Sequence, residues 1–213
     1  MDWERARSEE QKEERIKQII RASLTIFDVE GYEAVSFSRI AALNKSARSN
    51  IYKYFSTREE IFLEILRREI KSWGDALVEA LKEEFTTAEC STDLWIRALT
   101  TSPYLSGLLG MLYTTLEKNV SPEALRRFKK TLAEASAAAT RALIEGKVFQ
   151  DAQTAERFLV AQFSLAMGIF PLMKLTEQQI NAMAGESLHT EPGFYTSVLK
   201  RSMMALIVGF RDI

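Results

Sequence analysis

The sequence has little of what metal centres and covalent cross-links are made from. Among 213 residues there is one cysteine, Cys90, and one histidine, His189. A lone cysteine excludes an internal disulfide and a cysteine cluster for zinc, and it suits a reducing cytoplasm. With one histidine, any Ser-His-Asp triad would have to pass through His189, which stands among ordinary polar residues and reads as a solvated surface group. Glu117, Glu145 and Glu156 are single carboxylates without the Glu-x-x-His spacing of di-metal helical enzymes. No apolar run approaches the roughly 20 residues that cross a bilayer. Met1 to Arg15 is dense in charge of both signs, unlike a signal peptide. No segment reads as a strand, so no glycine-rich phosphate loop can follow one. These absences predict a cytoplasmic chain that is not an enzyme, holds no metal or cofactor and does not enter a membrane.

What is present is ordinary for a globular protein, with 46% apolar and 27% charged residues. Four prolines and nine glycines leave long stretches free for helices. The length suffices for one large or two modest domains. Apolar periodicity predicts an all-α chain of about nine helices. The first runs from about Ser8 to Val29, with Ile16, Ile20, Leu24 and Phe27 at helical spacing. Arg5, Arg7 and Lys12 near its start are interleaved with glutamates and read as solvated. Thr57-Arg58-Glu59-Glu60 is a capping box for a helix reaching Phe85. The polar run Thr86 to Thr92 is the clearest break. Beyond it come a short helix from Asp93 to Thr101 and one to Asn119 opened by Ser102-Pro103. Another starts at Ser121-Pro122 and ends at Gly146, and one is capped by Asp151 and stopped near Pro171. A short piece from Thr176 to Gly185 and a last helix from Phe194 to Phe210 complete the chain.

The stretch from Ser36 to Phe55 is the organising one, and it reads as two short helices joined by a turn. Ser36 can cap the first, whose Phe37, Ile40, Ala41 and Leu43 form one apolar face. Ser46 can cap the second, in which Ala47, Ile51 and Phe55 form an inward stripe. Arg48 with Tyr52, and Ser49 with Lys53, are then i, i+4 pairs on the outer face, beside Asn50. Such side chains bond base edges and phosphates.

Charge supports the same reading. From Ser36 through Arg58 there are five basic residues, Arg39, Lys45, Arg48, Lys53 and Arg58, and no acidic one. The chain carries −1, so the remainder stands at −6. A basic helix pair on an otherwise acidic chain is the electrostatic footprint of a nucleic-acid-binding head. The alternatives are a solvated helical hairpin, or a protein-protein adaptor whose basic hairpin meets an acidic partner; Asn50, Tyr52 and Tyr54 on the outer face favour DNA.

Ile40-Ala41, the turn, Asn50 through Phe55 and Thr57 through Phe62 together resemble the DNA-binding end of TetR-type (tetracycline-repressor-like) regulators. The likeness extends upstream to Phe27, Gly31 and Tyr32 and covers about the first 65 residues. Where the family has a small residue and glycine in the turn, this chain has Asn44, Lys45 and Ser46, and Asn44 is expected to take the positive φ.

The resemblance implies a DNA-binding domain over 1–58 and an effector-binding, dimerising domain over 59–213. Ser36, Lys45, Arg48, Ser49, Asn50, Tyr52, Lys53, Tyr54 and Arg58 are the expected DNA contacts. Arg48 and Asn50 suit base edges, because each can bond two edge groups of guanine or adenine at once. Tyr104, Leu108, Met111, Tyr113, Phe128, Phe163, Met167 and Phe170 are the expected lining of a pocket for a small hydrophobic effector, a role that flexible methionines and aromatics fit. Residues 151–170 and 194–210 are expected to join two copies, with small residues Ala155, Ala161, Ser164, Ser197, Ser202 and Ala205 allowing close approach. The function implied is a repressor acting as a homodimer on an inverted-repeat operator in double-stranded DNA and released by its effector.

Overall fold

The computed structural model describes residues 2–82, 88–101, 104–173, 175–186 and 188–211, all of them in helices, turns and loops with no strand. In chain order the helices are α1 (Asp2–Glu30), α2 (Phe37–Leu43), α3 (Arg48–Tyr52), α4 (Arg58–Ala80) and α5 (Ala88–Thr101). There follow α6 (Leu105–Leu109), α7 (Pro122–Glu145), α8 (Ala152–Ile169), α9 (Glu177–Met183) and α10 (Pro192–Arg211). The chain divides into two compact units. One comprises the described residues through Ile65 together with Thr115–Arg126; the other comprises Leu66–Thr114 and the residues from Arg127 onward. The division differs from 1–58 and 59–213 in that the start of α4 joins the first unit and a later segment returns to it.

The first unit closes over Ile26, Val35, Ile40, Ile51, Ile61 and Phe62, all buried. Phe62 takes Phe27 and Tyr32 on its ring at centroid distances of 5.4 and 4.9 Å. Such aromatic pairs add about 0.5–1.5 kcal/mol each beyond their burial. Thr57 caps α4 by accepting from Glu60 N at 3.2 Å, while its hydroxyl donates to Asn119 O at 2.8 Å. The Glu60 carboxylate is also bonded from outside the helix. It accepts from Ser56 N at 2.7 Å and Ser121 N at 3.0 Å, which ties the start of α7 to the start of α4.

The second unit is built on a chain of aromatic rings. Trp73 of α4 meets Trp95 of α5 at 6.0 Å, and Trp95 meets Phe158 of α8 at 4.9 Å. Phe158 in turn meets Phe149 and Phe210. Gly74 lets α4 approach α7 closely, since a Cβ there would stand 3.1 Å from that of Ala135. The segment Ala152–Met173 is long and apolar enough to cross a membrane by length and composition, contrary to the expectation of no such run. Its buried face nevertheless carries Gln162, which accepts from Trp95 Nε1 at 3.0 Å.

Several element boundaries differ from the sequence reading. Helix α1 starts earlier, at Asp2, and α4 ends at Ala80 rather than Phe85, which lies outside the described residues. Helix α5 begins inside the polar run read as a break, with Ser91 and Thr92 buried. Ser102-Pro103 lies outside the described residues. The helix expected up to Asn119 stops at Leu109 and continues as a π-helical turn (Leu112–Leu116) and a 3-10 turn (Glu117–Asn119). Its leucines keep their register, since Leu105, Leu108, Leu109, Leu112 and Leu116 are all buried. The backbone changes pitch beyond Gly110, a weak helix former that faces Pro171 so closely that a Cβ would stand 2.9 Å from its Cγ.

Candidate nucleic-acid interface and effector cavity

Helix α2 starts as expected, with Ser36 Oγ accepting from Arg39 N at 3.4 Å. It ends in a Schellman motif in which Lys45 N donates to Ala42 O and Ser46 N donates to Ala41 O. The residue with positive φ in that motif is Lys45, at +47°, and not Asn44, at −83°. Asn44 is the C-cap, and its side-chain Nδ2 donates to Gln18 O of α1 at 3.3 Å. The turn therefore falls one residue later than expected. Ala47, exposed and extended, is the N-cap of α3 in place of Ser46, and it drops out of the inward stripe. Ile51 and Phe55 remain buried.

This seating leaves Arg48, Ser49, Asn50, Tyr52 and Lys53 exposed along α3 and its end, with Tyr54 half-buried. Arg48 Nη2 donates to Tyr52 OH at 3.1 Å, and the Tyr52 ring meets Phe37 edge-on at 4.8 Å, so a core aromatic sets the direction of this polar pair. Lys45, Arg48 and Lys53 make no ion pair among the described residues.

The other two basic residues of the stretch are engaged within the first unit. Arg39 pairs with both carboxylate oxygens of Glu30, and this bond holds the Glu30 carboxyl below its ordinary range. Arg58 bonds Glu33 Oε2 at 2.9 Å and Glu59 Oε1 at 3.2 Å, with its guanidinium 4.5 Å from the Tyr32 ring centre. Tyr32 OH donates to Glu59 at 2.8 Å; burial and that carboxylate push the tyrosine hydroxyl up, so it stays a donor through the physiological range. Arg58, unlike Lys45, Arg48 and Lys53, is thus engaged by Glu33, Glu59 and the Tyr32 ring.

Arg15, which the sequence reading did not single out, lies beside the exposed face of α3. A polar groove of about 570 Å³ between α1 and α3 is lined by Arg15, Gln18, Asn44, Lys45, Asn50, Lys53 and Tyr54. Arg15 makes no ion pair among the described residues and donates to Gln18 Oε1 at 2.9 Å. The signal was in the helical phase: Arg15 lies four residues before Ile19, the buried residue that lines the same groove. Lys12, read as solvated, opens onto the adjoining recess beside Lys53.

Residues 67–212 match the family profile described as "Tetracyclin repressor-like, C-terminal domain", and residues 19–65 match "Bacterial regulatory proteins, tetR family". The chain belongs to the TetR family. Over 57 residues it is 36% identical to the HTH-type transcriptional regulator QacR of Staphylococcus aureus (strain Mu50 / ATCC 700699), a match covering 27% of this chain and 30% of that protein. The chain thus spans less than a third of the length of this curated relative. Two solved structures share the fold. The fatty acid degradation regulator FadR from Bacillus halodurans superposes with a TM-score of 0.58 over 92% of this chain and 96% of that one, at 17% identity. The TetR family regulator PfmR from Thermus thermophilus gives 0.53 over 89% and 97%, at 16%.

Effectors of TetR-type chains are expected in the second unit, and there a cavity of about 380 Å³ opens between α7 and α8. Of the expected lining, Tyr113, Phe163 and Met167 are present. Leu108, Phe128 and Phe170 are instead packed in the core, and Tyr104 and Met111 lie elsewhere, with Tyr104 N donating to Glu69 Oε2 at 3.4 Å. Apolar periodicity marks a face as buried, and core and cavity wall give the same signal. The residues that distinguish the cavity are small or polar ones that reasoning passed over: Ala133, Ser136, Ala137 and Thr140 of α7, and Glu156 and Ser164 of α8. His189, the lone histidine, is exposed and stacked on Phe194 at 3.6 Å.

Proposed function

We propose that this TetR-family chain is a cytoplasmic DNA-binding transcriptional regulator that represses as a homodimer and releases its operator when an apolar small molecule enters the second unit. The observation that carries the reading is the exposed face of α3 with its approaches, where Lys45, Arg48 and Lys53 have no acidic partner among the described residues and Asn50 and Tyr52 stand between them. Phosphate contacts from Lys45, Lys53, Arg15 and Tyr54 would fix the helix in a major groove, and Arg48 and Asn50 would meet base edges.

Dimerisation is assigned to the outer faces of α8 and α10. Val160 and Val208 are 69% and 43% exposed there, beside the small exposed Ser164, Gly168, Ser197, Ala205 and Gly209. Ala155, counted earlier among the small interface residues, is buried and plays no part. Two copies related by a two-fold axis would read half-sites about 34–36 Å apart, hence an inverted repeat.

Helices α4 and α7 are the switch elements, since each contributes its first turns to the first unit and its remainder to the second. A ligand that lowers DNA affinity about 100-fold must favour the non-binding conformation by about 2.7 kcal/mol, and DNA must weaken the ligand equally. The decisive experiment is a gel shift on the DNA upstream of the protein's own gene across a salt series. Retardation that weakens steeply with salt supports the reading. An adaptor would show neither retardation nor salt dependence.

A further inference from the structure

The ionisable and hydrogen-bonding groups around the second-unit cavity specify a ligand class. The walls are largely apolar, from Ile70, Leu112, Leu159 and Phe163, and among the described residues no lysine, arginine or histidine lines them. Among the described residues the one carboxylate in the lining is the exposed Glu156. Lys129 stands 5.2 Å from the Tyr113 ring centre but does not line the cavity. A ligand carrying a carboxylate or phosphate would therefore lose water and find a like charge without a counter-charge.

The cavity wall also holds an unmet polar group. Thr140 is buried, lines the cavity and has no hydrogen-bond partner for its hydroxyl. It does not take the usual mid-helix recourse of donating to the carbonyl four residues back. Two further buried donors of the unit lie outside the cavity lining. Gln162 already accepts from Trp95 through Oε1, which leaves its Nε2 protons unpartnered, and Trp73 Nε1 is unpartnered as well. Phe163, next to Gln162 in the chain, touches both the cavity and the Trp73 ring, at 4.8 Å. Buried polar groups without partners are uncommon, and an unpartnered hydroxyl on a cavity wall calls for an acceptor from whatever fills the cavity.

We infer that the cavity takes an uncharged, mainly apolar molecule bearing a carbonyl oxygen, such as a ketone, ester or thioester, and that this oxygen accepts from the Thr140 hydroxyl. The inference rests on the reading of this cavity as the effector site.

The test is calorimetric titration of the 213-residue chain with three probes of nine carbons each: methyl heptyl ketone, nonanoate and nonylammonium. The ketone should bind most tightly. Thr140→Val, which keeps the shape and removes the hydroxyl, should weaken the ketone about fivefold, the ratio one neutral hydrogen bond supplies. It should leave the two charged probes within twofold, and Thr140→Ser should retain ketone affinity. Circular dichroism on each variant establishes that the fold is intact. Tighter binding of nonanoate or nonylammonium, or unchanged ketone affinity in a folded Thr140→Val, would overturn the inference and leave the effector-site reading standing. Failure of all three probes to bind would remove both.

Discussion

Glu60 and Ser121, 61 residues apart in sequence, are joined by a hydrogen bond from the Ser121 backbone N–H to the Glu60 carboxylate at 3.0 Å. The same carboxylate accepts from Ser56 N, and Glu60 is buried. A buried carboxylate held by backbone donors leaves those donors unsatisfied when it is removed. Glu60→Ala should lower stability by about 2–3 kcal/mol, the range for hydrogen bonds to a charged acceptor in such a place. Denaturant unfolding gives the magnitude. Hydrogen exchange should show protection lost at 119–124 before it is lost in the core of α8.

Arg48, Lys53 and Arg58 are all basic, yet their surroundings predict three outcomes on operator DNA followed by fluorescence anisotropy. Arg48→Ala should cost about 1–3 kcal/mol and relax preference at one base position. Lys53→Ala should weaken all sequences alike and reduce the salt slope by about one, and Arg15→Ala should do the same. Arg58→Ala should leave the salt slope unchanged and lower stability, because its partners are Glu33 and Glu59.

Lys147 has a φ of +55° in the Schellman turn that ends α7, and Gly146 stands one residue before it. The glycine read from sequence as the stop is thus the C-cap, and a lysine bears the left-handed strain. Lys147→Gly should raise stability by about 1 kcal/mol, since an L-residue there costs about 1–2 kcal/mol and glycine does not. Thermal unfolding measures it, and a lowered midpoint would mean that other contacts of Lys147 outweigh the strain.

Val208→Glu probes the proposed dimer, because Val208 is exposed and its replacement need not disturb the core. The variant should sediment as a folded monomer with weak operator binding. Wild-type protein that is monomeric at micromolar concentration would remove the dimer claim.

Asp151 caps α8 by accepting from Thr154 N and Thr154 Oγ1, both at 2.9 Å. The Thr154 backbone N–H, then its hydroxyl, hold the Asp151 carboxyl below its ordinary range. A carboxyl lowered on folding contributes stability above its unfolded pKa and loses it as pH falls through the folded value. Asp151→Asn should therefore flatten the acid limb of the thermal-midpoint profile below about pH 4, where the unfolded carboxyl titrates. An acid limb identical to wild type would show that the cap bonds carry no charge-dependent stability.

The helical class, the place of the helix pair at Ser36 to Phe55, the caps at Ser36 and Asp151, and the outward face of Arg48, Asn50, Tyr52 and Lys53 were all legible in the residues. These follow from local chemistry: apolar spacing, cap side chains and runs of one charge sign act within a few residues. Tertiary structure alone decided which lysines carry positive φ, because the Schellman bonds at Lys45 and Lys147 are set by where each helix stops against its neighbours. It alone showed that Arg58 is held by Glu33 and Glu59 while Arg15 opens onto the groove, since a charge reads the same in sequence whether paired or free. It alone separated Phe128 and Phe170, packed in the core, from Phe163 on a cavity wall. Periodicity reports that a side chain leaves water and cannot report whether the space beyond it is filled.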